Sequence, residues 1–211
     1  MSAFETLTRE TPPVSTVRTI GGLSAIRHRG CGAVIWNRHD VSRLATWLEG
    51  LVPNQLPNVR TILVPENAAR VVHAVFDDAR TPDCAERDDL IDDIVSAVAT
   101  FADVMQAPKI LMRLEVVADN ACKKFHMDRV RARFICTYRG TGTEYGLSMA
   151  GEQPEEPLRV STGSALLVRG TEWKNDLSTL VLHRSPQIVD SGETRFLLVL
   201  AAIDDPEDSW E

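Results

Sequence analysis

Residues 123–128 contain the side chains best suited to chemistry, because they place an imidazole and a carboxylate two positions apart. In an extended backbone, residues i and i+2 point to the same face. His126 and Asp128 can therefore bind one metal ion from one side, while Met127 points away. A His-x-Asp pair alone is a weak indication, since such short patterns also arise by chance on solvated surfaces.

A third ligand has to come from another part of the chain, and His183 is the best candidate. It lies in segment 181–186, at the end of a later apolar, β-branched run. Two histidines and one carboxylate on one face of an iron ion leave coordination positions open for oxygen and a co-substrate. We therefore predict a metal site made of His126, Asp128 and His183.

Arg195 opens the next predicted strand, so an antiparallel pairing could bring it near His183 at the mouth of the same site. A buried guanidinium needs an anion, and its planar fork suits a carboxylate. A dicarboxylic co-substrate could bind the metal at one end and Arg195 at the other. The alternative is an arginine at a strand end, paired in solvent with Glu193 or Asp190, where an ion pair contributes little.

Five further side chains are candidates for the mouth of the site and for contact with the substrate. They are Arg113, Glu115, Arg131, Arg133 and Trp173. The four charged ones lie on predicted strands, where a solvated strand face is the simpler interpretation. The tryptophan lies on a loop before the predicted strand of the second histidine, and plain packing is its alternative role.

Composition and charge limit the class of protein. The chain has 211 residues, 44% of them hydrophobic, which is enough for a real core. Its net charge of −7 argues against nucleic acid or an anionic membrane as the main partner. No apolar run approaches the roughly 20 residues of a membrane span. Residues 1–13 lack the pattern of a signal peptide, so we expect a cytoplasmic protein. The sequence does not indicate the oligomeric state.

The cysteines suggest a second hypothesis for the metal site. Cys31, Cys84, Cys122 and Cys136 are widely spaced and form no CxxC motif, so free thiols are predicted in a reducing compartment. Cys122 precedes His126 by four residues. Added to the three predicted ligands, it would complete a closed, four-coordinate site suited to zinc storage, sensing or delivery. Its simpler interpretation is a small buried apolar residue.

The hydrophobic period changes along the chain. Helical spacing predicts helices over 41–51, from Pro65 to about residue 76, and over 86–105. Later runs rich in Val, Ile, Leu and Phe predict strands, in addition to a short one at 33–36. These runs cover residues 110–118, 129–138, 164–169, 179–183 and 194–203. Helices followed by strands predict an α+β fold, with a helical layer packed on a small β-barrel or sandwich.

The same pattern predicts the organisation of the chain. Residues 1–20, broken by Pro12 and Pro13, are expected to form a flexible arm. Residues 21–108 would be a mainly helical supporting region. Residues 109–205 would be the metal-binding core, in one compact domain with the supporting region.

The segment from about 110 to 203 resembles the core of the iron(II)- and 2-oxoglutarate-dependent dioxygenases, a double-stranded β-helix of the jelly-roll or cupin-like kind. His126-x-Asp128 and His183 match the metal ligands of those enzymes. Gly192-x-x-Arg195 is similar to the motif that holds the tail of 2-oxoglutarate. The resemblance implies iron(II) and 2-oxoglutarate as cofactors and a hydroxylase-type activity on an unknown substrate. It also implies that Tyr138 helps to bind the co-substrate.

The chain is more narrowly identified as a member of a bacterial family of uncharacterised proteins, the domain of unknown function DUF1826. The matching pieces are Ile35-Trp36-Asn37-Arg38, Arg113-Leu114-Glu115, Cys122-x-x-Phe125-His126-x-Asp128, Cys136-Thr137-Tyr138-Arg139-Gly140, Gly142-Thr143-Glu144 and His183-Arg184-Ser185-Pro186. Thr141 and Tyr145 depart from the usual proline and tryptophan of that family. This resemblance also implies a link to zinc homeostasis, which bears on the non-catalytic alternative with zinc(II) as the metal. A third alternative is a cupin-like barrel without chemistry that binds a small acid or a partner protein.

Overall fold

The computed structural model of the protein describes residues 12–38, 42–119, 122–148, 152–174 and 180–203. The α-helices in these ranges are α1 (Ser42–Glu49), α2 (Ala68–Asp78) and α3 (Ala85–Met105). The strands are β1 (Val14–Val17), β2 (Ala33–Trp36), β3 (Val59–Leu63), β4 (Lys109–Val117), β5 (Ala132–Arg139), β6 (Glu144–Ser148), β7 (Leu158–Arg159), β8 (Ala165–Arg169), β9 (Leu180–Arg184) and β10 (Arg195–Ile203). Within these ranges, no helix has both the length and the apolarity needed to cross a membrane.

Two sheets face each other. The larger has seven strands in the order β1-β2-β8-β5-β10-β4-β3, and the smaller has three in the order β7-β6-β9. Only the β1–β2 pairing is parallel among the pairings of the described strands. Tyr145 and Val181 of the small sheet pack against Ala33, Leu166 and Val168 of the large one. This contact closes one end of a sandwich between the sheets.

Alternation along β10 separates two environments. Phe196, Leu198 and Leu200 are fully buried in the main core on the helix side of the large sheet. Leu197 and Val199, between them in sequence, line a cavity on the opposite face. Because successive side chains of a strand point to opposite faces, β10 contributes both to the core and to the cavity.

Helix α3 covers the helix side of the large sheet. Its residues Ile94, Val98 and Phe101 are fully buried in the main core, and the Phe101 ring lies 6.3 Å from that of Phe134 on β5. Acidic side chains occupy the first turn, where they complement the helix dipole. The helix ends at Gln106, which has a left-handed conformation with φ of 49°.

The predicted α+β class is confirmed, and the three predicted helices are present. The structure corrects the expected organisation in two ways. First, Val14–Val17 form a strand of the large sheet, so the expected arm is wrong over residues 12–20, while residues 1–11 lie outside the described residues. Second, β2 and β3 belong to the large sheet, so residues 21–108 are not simply a helical layer. Residues 204 and 205 of the expected core also lie outside the described ranges.

Candidate metal site and its cavity

The backbone brings the two predicted histidine ligands side by side. His126 and His183 exchange both backbone hydrogen bonds, with N···O distances of 3.1 and 3.0 Å, as an antiparallel bridge at the edge of the small sheet. Paired residues on neighbouring strands project their side chains to the same face. The two imidazole rings accordingly lie 4.7 Å apart, centre to centre.

Asp128 completes the cluster, as its i+2 spacing from His126 predicts. Its Oδ1 lies 3.5 Å from Nε2 of His126, and its Oδ2 lies 3.3 Å from Nε2 of His183. One ligand atom from each of the three residues falls within 4.8 Å of the other two. With a small adjustment of the side chains, these donor atoms could share one cation at the bond lengths usual for first-row transition metals, about 2.0–2.2 Å.

The donor set suits a divalent metal of intermediate softness. The Nδ1 of His126 contacts the carbonyl oxygen of Lys124 at 3.0 Å. A carbonyl can only accept, so Nδ1 carries a proton, and a protonated Nε2 donates to Asp128. Loss of the Nε2 proton would leave a neutral ring whose Nε2 lone pair is available to a metal. Two imidazole nitrogens and one carboxylate fill three positions of a metal and leave the rest for small molecules. The residues present therefore fit an iron(II) ion.

Charges around Asp128 keep it ionised. Burial raises the pKa of this carboxyl, but hydrogen bonds from His126 and His183 and the cation of Arg133 outweigh burial and hold the pKa well below its usual range. The hydrogen bond to Asp128 in turn raises the pKa of His126. An ionised carboxylate is the form that binds a metal, so this ligand needs no deprotonation at neutral pH.

The cluster opens into a small cavity of about 120 Å³ between the sheets. Its lining residues are Arg113, Glu115, Cys122, His126, Asp128, Arg133, Ile135, Thr143, His183, Arg184, Ser185, Arg195, Leu197 and Val199. Four guanidinium groups are among them. The cavity therefore combines the candidate metal-binding trio with four positively charged side chains.

Arg195 is the most buried of these cations, with 1% of its surface exposed. Its Nε donates to the carbonyl oxygen of Thr141 at 2.7 Å, and its Nη2 donates to Oγ1 of Thr137 at 3.2 Å. Both acceptors are neutral, and no carboxylate of the described residues lies within ion-pair distance. Burial accordingly lowers the pKa of this guanidinium, although Glu193 and Glu115 oppose the shift at longer range.

The solvent-paired alternative for Arg195 does not describe its surroundings. Glu193 instead accepts hydrogen bonds from the backbone nitrogen of Thr141 at 2.6 Å and from its hydroxyl at 2.7 Å. The carboxylate thereby fixes the turn whose carbonyl holds Arg195. A buried guanidinium without a carboxylate is costly unless an anion reaches it, so the cavity is ready for one.

Three of the five predicted mouth residues line the cavity. Arg113 donates from Nε to Oε1 of Glu115 at 2.7 Å and contacts the same oxygen through Nη2. Arg133 donates from Nε to Oδ2 of Asp128 at 2.7 Å. All three are on the cavity face of β4 or β5.

The other two, with Tyr138, lie elsewhere. Arg131 donates to the carbonyl of Met105 at the end of α3, and Trp173 packs against the main core with the Arg169 guanidinium 4.4 Å from its ring. Tyr138 is on the helix face of β5. The structure thus corrects their placement: none of the three lines the cavity.

The buried environment of Tyr138 explains why it is not at the cavity. Its hydroxyl donates to Oδ2 of Asp93 on α3 at 2.6 Å. Burial and the nearby carboxylate raise its pKa well above the usual value. A neutral, buried phenol hydrogen-bonded to a helix is a core group, so Tyr138 is not a co-substrate ligand in this geometry.

Cys122 lines the cavity but is not part of the metal-binding trio. It is exposed, and its carbonyl oxygen accepts a hydrogen bond from the backbone of Ser185 at 3.1 Å. All four cysteines are free thiols. The closed four-ligand site is therefore not assembled in this structure.

Sequence reasoning missed three polar residues around the cavity. Thr137 contacts Arg195, Thr143 is a buried hydroxyl in the lining, and Arg184 lines the cavity next to the ligand His183. Arg184 follows the histidine directly in sequence, and Thr137 precedes Tyr138. Their adjacency to predicted site residues was the available clue, but alternation sends neighbours to opposite faces.

Comparisons with known proteins agree with this geometry. The family model described as "Protein of unknown function (DUF1826)" matches residues 18–201. A search of curated proteins finds no match. The chain is similar in structure to the rice dioxygenase for auxin oxidation, with a TM-score of 0.52 and 13% identity over 93% of this chain and 84% of that one.

A second structural match is the dioxygenase for auxin oxidation 1 of Arabidopsis thaliana, in its binary complex with 2-oxoglutarate. The TM-score is 0.55, with 8% identity over 95% of this chain and 98% of that one. Sequence identities this low establish a shared fold and nothing finer.

Proposed function

Because this chain belongs to the DUF1826 family and shares the fold of two auxin dioxygenases, we propose that it is an iron(II)- and 2-oxoglutarate-dependent oxygenase of the hydroxylase type. Its two facing sheets would be the double-stranded β-helix of that class. The observation that carries the proposal is the buried, carboxylate-free guanidinium of Arg195 in the same cavity as the His126–Asp128–His183 trio.

Each part of the cavity has a role in this proposal. The trio would hold the metal. Arg195, with the hydroxyl of Thr137 beside it, would bind the remote carboxylate of 2-oxoglutarate through its planar fork. When bound, iron(II) and 2-oxoglutarate supply the oxidative decarboxylation that activates oxygen for attack on a substrate C–H bond.

Apolar side chains define the floor of the cavity. Ile135, Leu197 and Val199 form a buried cluster on neighbouring strands and line the space next to the trio. They would exclude water from the reacting groups and strengthen the pairing of Arg195 with its carboxylate, since charges interact more strongly away from water. The structure of the Arabidopsis thaliana dioxygenase for auxin oxidation 1 contains 2-oxoglutarate, which supports this co-substrate for the shared fold.

A non-catalytic zinc protein is the second candidate. It would need Cys122 as a fourth ligand and gives no role to a buried Arg195. Cys122 lies outside the trio and Arg195 lines the cavity, and this arrangement supports the oxygenase over the zinc protein.

The proposal is tested by anaerobic reconstitution with ferrous iron followed by titration with 2-oxoglutarate. We expect a weak visible charge-transfer band that saturates with 2-oxoglutarate. His126→Ala should abolish the band by removing a ligand. Arg195→Gln should keep iron binding and weaken 2-oxoglutarate about 30-fold or more, because a hydrogen-bonded charge pair contributes about 2–3 kcal/mol.

Arg29→Gln serves as the matched control, since Arg29 is exposed and does not line the cavity. It should leave the band and its titration unchanged. An absence of the band in the parent protein, together with tight zinc binding that is lost in Cys122→Ser, would replace the oxygenase by the zinc protein.

A further inference from the structure

The cavity contains more positive charge than a metal site and 2-oxoglutarate require. Arg113, Arg133, Arg184 and Arg195 line it, against the carboxylates of Glu115 and Asp128. This excess is local, because the whole chain has a net charge of −7. A concentration of guanidinium groups in one small, partly enclosed space is the usual environment for an oxyanion.

Arg133 has a donor without a partner. Its Nε donates to Asp128, but its Nη1 is buried and has no hydrogen-bond acceptor among the described residues. A buried, unsatisfied N–H of a charged group is costly, and an anion bound in the cavity would supply the acceptor that Nη1 lacks. Asp128 cannot neutralise Arg133 fully once it also binds a metal cation.

Arg113 and Glu115 form a second feature beside it. Arg133 on β5 and Arg113 on β4 flank the central strand β10, where they pair with Ala201 and Val199 respectively. Both side chains reach the cavity face. Nε and Nη2 of Arg113 both donate to Oε1 of Glu115. The Nη1 group of Arg113 takes no part in this contact.

If the proposed function holds, the cavity with metal and 2-oxoglutarate bound still has more positive than negative charges. A divalent metal, Arg133 and Arg195 together carry four positive charges, of which Asp128 offsets one and 2-oxoglutarate two. Glu115 offsets Arg113, and Glu144 contacts Arg184 at 2.7 Å from outside the lining. One positive charge remains, which in a partly buried space calls for one more anion.

We propose that Arg113 and Arg133 form a substrate subsite for an oxyanion, so that the molecule to be hydroxylated carries a carboxylate or phosphate group. This subsite is separate from Arg195, which receives the co-substrate in the proposed function. Glu115 acts as a placeholder: it neutralises Arg113 while the subsite is empty and weakens the binding of an incoming anion.

The two residues of the Arg113–Glu115 pair allow a test with effects of opposite sign. The full-length protein is loaded with manganese(II), which does not support turnover in this experiment, and with saturating 2-oxoglutarate. Acetate and inorganic phosphate are then titrated separately by calorimetry, with acetamide as the uncharged probe. Comparing acetate with phosphate distinguishes a carboxylate substrate from a phosphate one.

We expect one of the two anions to bind and acetamide not to bind. Arg113→Gln should weaken anion binding about tenfold, the effect of losing one charged hydrogen bond. Glu115→Gln should strengthen it by a similar factor of about ten, because the competing carboxylate is gone. Arg133→Lys retains a cation beside Asp128 but loses the fork, so we expect binding about fivefold weaker. The control Arg29→Gln should leave the affinity unchanged.

If the Arg113–Glu115 pair only held the strands together, Glu115→Gln would weaken anion binding or leave it unchanged. Either result would contradict the proposed oxyanion subsite. Binding of acetamide as tight as that of the better anion, or binding of neither anion, would overturn it as well. The proposed function fails separately, by a lack of 2-oxoglutarate binding in the parent protein. In that event, anions can still be titrated into the manganese-loaded protein without 2-oxoglutarate. Arg113→Gln should then lower the anion affinity, and Glu115→Gln should raise it.

Discussion

Gly170 lies directly against the backbone that carries Asp128, one of the three candidate metal ligands. The nitrogen of Gly170 donates to the carbonyl of Arg131 at 2.8 Å, and the next residue, Thr171, donates to the carbonyl of Asp128 at 2.9 Å. A Cβ atom at Gly170 would lie 2.6 Å from the carbonyl oxygen of Asp128 and 2.1 Å from that of Val130. The loop after β8 can therefore lie this close to the backbone of Asp128 only because position 170 has no side chain.

Gly170→Ala should displace the segment of Asp128. Backbone oxygens cannot move aside as a flexible side chain can, so we expect a free energy of unfolding lower by about 1–3 kcal/mol. We also expect manganese(II) affinity reduced at least tenfold, measured by electron paramagnetic resonance titration of the folded protein. Gly21→Ala is the control, because a Cβ there meets nothing within 4 Å. Normal metal binding by Gly170→Ala would show that the loop does not position Asp128.

Glu193 should act on 2-oxoglutarate through Arg195 without touching the co-substrate. Glu193 fixes Thr141 by two hydrogen bonds, and the carbonyl of Thr141 holds Nε of Arg195. Glu193→Ala releases this turn, so we expect 2-oxoglutarate affinity about tenfold weaker, as for loss of one charged hydrogen bond. Metal affinity should not change. Glu193→Gln retains one acceptor and should recover part of the loss; an affinity equal to that of Glu193→Ala would contradict the positioning role.

The cluster of His126, Asp128 and His183 could be predicted from the sequence because its geometry is mostly local. The spacing of His126 and Asp128 fixes their common side in extended backbone, and the end of a β-branched run located His183. What sequence could not supply was the face of β5. Thr137 and Tyr138 are neighbours and must point to opposite sides, but either could face the cavity. A register shift between Phe196 and Leu197 in the pairing of β10 with β5 adds to that ambiguity.

The strands β3 and β6 were missed for a related reason. Val59–Leu63 alternate between half-buried and exposed positions up to the buried Leu63, and β6 contains a glycine. A short strand with polar alternate residues gives little local pattern, so its place in a sheet is decided by distant partners. The large sheet combines strands from both halves of the chain. Such long-range pairing sets their order.

Tyr138→Phe tests the corrected placement of Tyr138. The substitution removes the hydroxyl that donates to Asp93 and leaves this half-buried acceptor with one hydrogen bond fewer. We expect the free energy of unfolding to fall by about 1–2 kcal/mol in denaturant titrations. The affinity for 2-oxoglutarate should be unchanged, since the ring lies on the helix side of the sheet. A large loss of 2-oxoglutarate affinity in a normally stable variant would instead indicate that Tyr138 takes part in binding the co-substrate.

Asp93 should matter more to stability than Tyr138, because it pairs with a buried cation. Its Oδ1 lies 2.5 Å from Nη1 of Arg38, whose guanidinium also rests 4.3 Å from the Trp36 ring. Removing one partner of such a pair leaves the other charge uncompensated. We expect Asp93→Ala to lower the free energy of unfolding by about 3–5 kcal/mol. Asp92→Ala, next to it on α3 but exposed, should change stability by less than about 0.5 kcal/mol.

Glu144 gives the fold a pH dependence of known sign. Burial raises the pKa of this carboxyl, but Arg159 and Arg184, at 2.8 and 2.7 Å, lower it below its ordinary value of 4.5. A group with a depressed folded-state pKa stabilises the protein above its unfolded pKa, and this stability is lost as pH falls through the folded value. The parent protein should therefore be more stable than Glu144→Gln at pH 7, and the difference should shrink below about pH 4.5. Unfolding titrations of both proteins at several pH values measure this; a difference that stays constant or grows on acidification would mean that the ionised carboxylate does not stabilise the small sheet.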